Sequence, residues 1–74
     1  MIFMNEILAR AQGWQLTRRE TDTLIEVLRG GSNKVIAGRL GISAETVNKH
    51  LDNVYLKAEV HSRGELAGRF LMLG

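Results

Sequence analysis

Apolar residues recur along this chain at spacings of three and four, with polar residues filling the positions between. That period lays one face of a helix on a core, and the sustained alternation of a half-buried strand appears nowhere. The pattern predicts an all-α fold. Thr17 and Glu20 have the spacing of a capping box, in which the hydroxyl accepts from an early backbone N–H and the carboxylate reaches back. Leu24, Val27 and Leu28 then share a face, and Gly30-Gly31 end the helix. Ser32 or Asn33 caps a short helix marked by Ile36, Ala37 and Leu40, which Gly41 ends. Ser43 caps a longer one, about 44–58, along which Val47, Leu51, Val54 and Ala58 recur. Ser62 and Glu65 form a second capping box and start a helix that carries Leu66, Phe70 and Leu73 inward. These four helices define a domain over residues 16–74. In segment 1–15, Ile2, Phe3, Ile7, Leu8 and Ala11 trace a short additional helix or linker that Gly13 is expected to break. This segment would pack on the domain, pair with a partner chain, or join a longer protein.

Composition narrows the class. With 74 residues the chain makes one small domain, and 45% hydrophobic against 24% charged residues marks it as globular rather than disordered. Cysteine is absent, which excludes disulfides and thiolate zinc sites, and two histidines cannot build a structural metal site alone. No metal or cofactor is expected. The apolar cluster in Met1–Ala11 is interrupted by Glu6 and Arg10, too soon for a membrane span, and it lacks the basic lead of a signal peptide. A cytoplasmic location is the expectation. The net charge of +2 and a pI near 9.5 lean weakly towards anionic partners.

The stretch Asn33–Leu51 is more specific. Two helices that cross steeply need a small residue at the crossing, which Ala37 supplies. Four residues later the chain must reverse through positive φ, and Gly41 does so without a steric penalty. Ile36, Leu40 and Ile42 flank the turn, and Val47 is where the second helix meets the core; His50 stands where an apolar residue is usual. This is the pattern of a helix-turn-helix. If Val47, Leu51, Val54 and Ala58 face inward, then Glu45, Asn48, Lys49, Asp52 and Asn53 face outward or flank the exposed side. Asn and Lys side chains suit base edges and phosphates, and carboxylates can accept from a cytosine amine. The same five residues would equally serve as a solvated helix face.

Leu16-Thr17-Arg18-Arg19-Glu20, Gly31-Ser32-Asn33-Lys34, Ile36-Ala37, Leu40, Ile42-Ser43, Thr46-Val47, His50, Asn53, Tyr55, Lys57 and Val60-His61-Ser62-Arg63 together resemble the LuxR-type (GerE-type) helix-turn-helix domain of bacterial transcription regulators. The resemblance covers about residues 16–69. It implies a four-helix domain whose third helix enters the major groove of double-stranded DNA and whose last helix pairs two subunits. Carried over, Asn48, Lys49 and Asp52 fall at base-reading positions. Lys34, Thr46 and Lys57 fall at phosphate-holding ones, which position the protein without specifying sequence. Leu66, Arg69, Phe70 and Leu71 fall at a homodimer interface. Such a domain works downstream of a sensor or receiver if the chain is part of a longer protein.

The chain also departs from that family. Asn48 replaces a usual lysine, Val35 a usual glutamate, and Ala58-Glu59 a usual Leu-Gly. Lacking that glycine, the reading helix must end through a costlier residue or run on. Leu56 falls on the exposed side. No phosphate-loop spacing and no serine–histidine–acid set can be assembled, so no enzyme activity is expected. The competing expectation is a protein-interaction module, using Leu66, Leu71 and Met72, that modulates another regulator without touching DNA.

Overall fold

Residues 3–71 are described by the structure, a computed structural model. Met1, Ile2, Met72, Leu73 and Gly74, and the side chain of Leu71, lie outside the described set. Five helices follow in order: α1 (Met4–Gly13), α2 (Arg18–Leu28), α3 (Asn33–Leu40), α4 (Ala44–Ala58) and α5 (Arg63–Leu71). There is no strand among the described residues. The fold is the all-α class that the periodicity predicts, four helices preceded by a short fifth.

The N-terminal caps start the helices largely where the side chains say. Glu20 N–H donates to Thr17 Oγ1 at 3.2 Å, and Thr17 N–H donates to Glu20 Oε1 at 2.9 Å. Ser32, not Asn33, caps α3 by accepting from Val35 N–H at 3.3 Å. Ser43 accepts from Thr46 N–H at 3.1 Å and starts α4. Before α5, Ser62 accepts from Glu65 N–H at 3.1 Å, but the Glu65 carboxylate reaches one residue further back than a capping box requires, to His61 N–H.

Helix ends hold more surprises. Gly13 does not break α1; it is an ordinary helical residue. The reversal falls two residues later at Gln15, with φ of 58°, where Leu16 N–H donates to Ala11 O and Gln15 N–H to Gln12 O. These two bonds close a Schellman turn, so the apolar anchor Leu16 decides where the helix stops. At α4 the missing glycine has the foreseen consequence: Glu59 takes the left-handed conformation itself, with φ of 57°. Val60 N–H closes that turn on Tyr55 O at 3.0 Å, and its side chain is buried. Gly41 ends α3 at φ of 68° as expected, and Ile42 N–H donates to Ala37 O.

The core lies between α2, α3, α4 and α5. Leu24, Ile36, Val47, Val54 and Leu66 are fully buried, and Val27, Leu51, Ala58, Val60 and Phe70 pack with them. Ala37 is buried on α3, the helix that packs on α4, as a close crossing requires. α1 joins the same core through Ile7 and Ala11. Trp14 meets Phe70 edge to face at 5.9 Å, and the Arg10 guanidinium stands 5.5 Å from the centre of the Phe70 ring.

Candidate nucleic-acid interface

α4 has two faces with different duties. Val47, Leu51, Val54 and Ala58 are buried, whereas Glu45, Asn48, Lys49, Asp52 and Asn53 are all exposed. The packing of α3 against α4 fixes this rotation, because Val47 and Ile36 are both taken fully out of water. A 15-residue helix therefore stands with one polar side clear of the body of the protein. Such a side fits a major groove, which admits one α-helix.

Asn48 is not an isolated surface residue. Its Oδ1 accepts from Asn33 Nδ2 at the start of α3. Asn33 Oδ1 in turn accepts from Arg63 Nη2 at 2.6 Å, and Arg63 Nη1 donates to Gly31 O at 2.6 Å. The guanidinium thus ties α5 to the α2–α3 turn and, through Asn33, to α4. The sequence assigns no site role to Asn33 or Arg63. Asn33 stands next to the true cap, and capping was the role its position suggested. Because Ser32 takes that role, the Asn33 side chain is available to reach across.

The expected phosphate holders separate. Lys34 is exposed in the first turn of α3, and among the described residues neither it nor Lys49 enters an ion pair. Thr46 is half-buried in the first turn of α4, its hydroxyl 2.9 Å from Ser43 Oγ. Lys57 is placed differently. Its Nζ donates to Glu20 Oε1 at 2.7 Å and to Gln15 O at 3.3 Å, so its charge is spent inside the protein. The physical reason is Glu20: the capping box draws this carboxylate to 4% exposure, and a buried carboxylate needs a cation. Burial would push the Glu20 carboxyl up, but the Lys57 ammonium and the Thr17 N–H and hydroxyl outweigh it and hold the group below its ordinary value.

The expected dimer residues also divide. Leu66 and Phe70 are buried in the chain's own core, where the helical period points both. Arg69 is exposed, and its Nη2 donates to Glu59 O at 3.3 Å. On the same helix a side chain at Gly68 would meet nothing within 4 Å.

Leu56 is 77% exposed, as its position on the outer side of α4 predicts. It borders an open cleft of about 520 Å³ shared with Asp52, Tyr55, Glu59, Val60 and His61. Among the described residues no group of three or more histidines and carboxylates is placed to hold a metal, and no helix is long and apolar enough to cross a membrane.

Comparison with known proteins meets this geometry from outside. The family described as "Bacterial regulatory proteins, luxR family" matches residues 14–70, which run from Trp14 before the capping box to Phe70 in α5. An uncharacterized transcriptional regulatory protein, YhcZ of Bacillus subtilis, is 50% identical over 54 residues, covering 73% of this chain and 25% of that protein. The monoamine regulon transcriptional regulator of Klebsiella aerogenes is 46% identical over 57 residues, covering 77% and 25%. The nitrate/nitrite response regulator protein NarP of Escherichia coli is 50% identical over 48 residues, covering 65% and 22%. The chain spans about a quarter of the length of these relatives. No solved structure matches it at a significant level. Five helices, an outward polar face on α4 and a family match over most of the chain agree: the protein belongs to the LuxR family of bacterial regulatory proteins and carries that family's helix-turn-helix DNA-binding domain.

Proposed function

We propose that this chain reads specific double-stranded DNA sequences in the control of transcription, with α4 seated in a major groove and two copies acting as a homodimer in the bacterial cytoplasm. The observation that carries the reading is the clear outer side of α4, where Asn48, Lys49 and Asp52 are exposed together. α3 crosses the DNA backbone, and its first amides and Lys34 hold a phosphate, as helix N-termini do. Thr46, at the start of α4, holds a neighbouring phosphate. Lys57 takes no phosphate in this reading, because it is paired with Glu20. One module buries modest area, so a second copy placed one turn of DNA away, about 34 Å, strengthens binding. The outer side of α5, with Arg69 and the open position at Gly68, is the surface assigned to that pairing. A sensor or receiver domain would adjoin the chain if it is part of a protein as long as its relatives.

Fluorescence anisotropy with a labelled duplex tests the reading. Affinity should fall steeply between 50 and 200 mM salt, by about a factor of ten or more for a few neutralised phosphates. Lys34→Ala should weaken cognate and scrambled duplexes alike, and Lys49→Ala should weaken the cognate duplex more. Equal losses on both duplexes for both variants would remove Lys49 from base reading.

A second reading is favoured by Leu56 and its cleft: a module that binds another regulator through an apolar contact. Salt-insensitive association with a protein, together with no DNA binding at 50 mM salt, would support it over the first.

A further inference from the structure

We propose that Arg63 and Asn33 fix which end of the Asn48 amide faces outward, making Asn48 a hydrogen-bond donor that selects guanine in the major groove. The inference rests on the DNA-reading function proposed above and specifies its chemistry at one position. The argument runs from the group whose polarity is beyond doubt. A guanidinium only donates and stays charged at any relevant pH. Arg63 Nη2 lies 2.6 Å from the Asn33 amide, so the atom it meets must be the oxygen. Asn33 is then obliged to turn its amide nitrogen towards Asn48, and Asn48 must answer with its own oxygen. That leaves Asn48 Nδ2, with its two hydrogens, for whatever lies beyond α4. Arg63 is itself anchored, since Nη1 donates to Gly31 O, so it cannot easily swing away and release the chain of amides.

The consequence is a preference among bases. An asparagine with both ends available pairs with adenine, accepting from N6 and donating to N7. With its oxygen held towards Asn33, Asn48 turns its donor end outward. Guanine presents two acceptors, N7 and O6, at the same edge, and matches it better. Asn33 and Arg63 are therefore positioning residues that set specificity without touching DNA.

Asn33→Asp provides a reversal. A carboxylate still accepts from Arg63, but it must also accept from Asn48, which would then turn its oxygen outwards and favour an amine, cytosine N4 or adenine N6. An acidic residue in the first turn of α3 suits the helix dipole, so the fold should tolerate the change. Bound sequences would be selected from a random duplex pool by the wild type, Asn48→Ala, Asn33→Ala and Asn33→Asp. The position that loses its preference in Asn48→Ala marks the contact. There the wild type should favour guanine about tenfold over adenine, Asn33→Ala should relax the preference, and Asn33→Asp should shift it to cytosine or adenine. An unaltered preference in both Asn33 variants, or adenine preferred by the wild type, would overturn the proposal. Side-chain amide exchange by NMR on the DNA-free protein tests the orientation separately. The Asn33 amide should exchange slowly and that of Asn48 fast, with slow exchange moving to Asn48 in Asn33→Asp; the opposite pattern in the wild type would overturn the orientation. A wild type that enriches no sequence would defeat the DNA-reading function, a result the exchange measurement keeps distinct from a wrong orientation.

Discussion

Glu20 shows how one side chain can serve two levels of the fold. Its carboxylate accepts from Thr17 N–H to start α2, and the same oxygen receives Lys57 from the last turn of α4, 37 residues away. Removing the partner leaves a buried charge with one hydrogen-bonding neighbour fewer. Lys57→Ala should cost about 2 kcal/mol, below the range for fully buried pairs because Lys57 is about a third exposed. A urea melt would measure it; a loss under 0.5 kcal/mol, roughly a surface-pair value, would show the pair to be marginal. The pH dependence has a definite sign. Since folding lowers the Glu20 pKa, its contribution is present above the usual carboxylate range and is lost as pH falls through the lowered folded value. Acid melts of wild type and Lys57→Ala should therefore converge at low pH. Glu59 is a residue in the wrong conformation for its kind. Left-handed φ at a non-glycine side chain carries a penalty, so Glu59→Gly should stabilise the protein by about 0.5–1 kcal/mol in thermal unfolding, provided that the bond from Arg69 to Glu59 O persists.

Among the helices, what could be read from the chain divides by where the deciding contact lies. Helix starts were legible because a serine or threonine hydroxyl acts three residues away, as at Thr17, Ser32 and Ser43. Helix ends were less so. The stop of α1 is set by Leu16 folding back on Ala11, and the tempting glycine at position 13 has no part in it. The outer face of α4 follows from periodicity alone, hence Glu45, Asn48, Lys49, Asp52 and Asn53 are exposed as expected. The pairing of Lys57 with Glu20 is not legible in the chain, because the two are adjacent only after α2 packs on α4. The pairing of subunits is an element-level question as well. Gly68→Gln on α5 enters open space and replaces glycine with a better helix former, so the monomer should gain up to about 1 kcal/mol. If α5 pairs two copies, the same variant should weaken binding to a duplex with two half-sites about tenfold while sparing a single half-site. Equal affinities on the two-site duplex would move the dimer surface elsewhere.

At the scale of the molecule, a small domain with one core has little stability in reserve. The family match begins at Trp14, yet α1 places Ile7 and Ala11 in the same core as the helix-turn-helix. A chain beginning at residue 14 should therefore melt well below the full chain. Burying side chains like Ile7 is worth about 1.5–3 kcal/mol, and a shift of roughly 4–8 °C per kcal/mol is expected for a domain of this size. An unchanged melting temperature would make α1 an appendage.

The indole of Trp14 is the sole tryptophan of the sequence, and it rests edge-on against Phe70. Its emission colour is consequently a built-in gauge of whether the first helix is seated. An experimenter can watch the foundation loosen by fluorescence while following DNA binding by another signal.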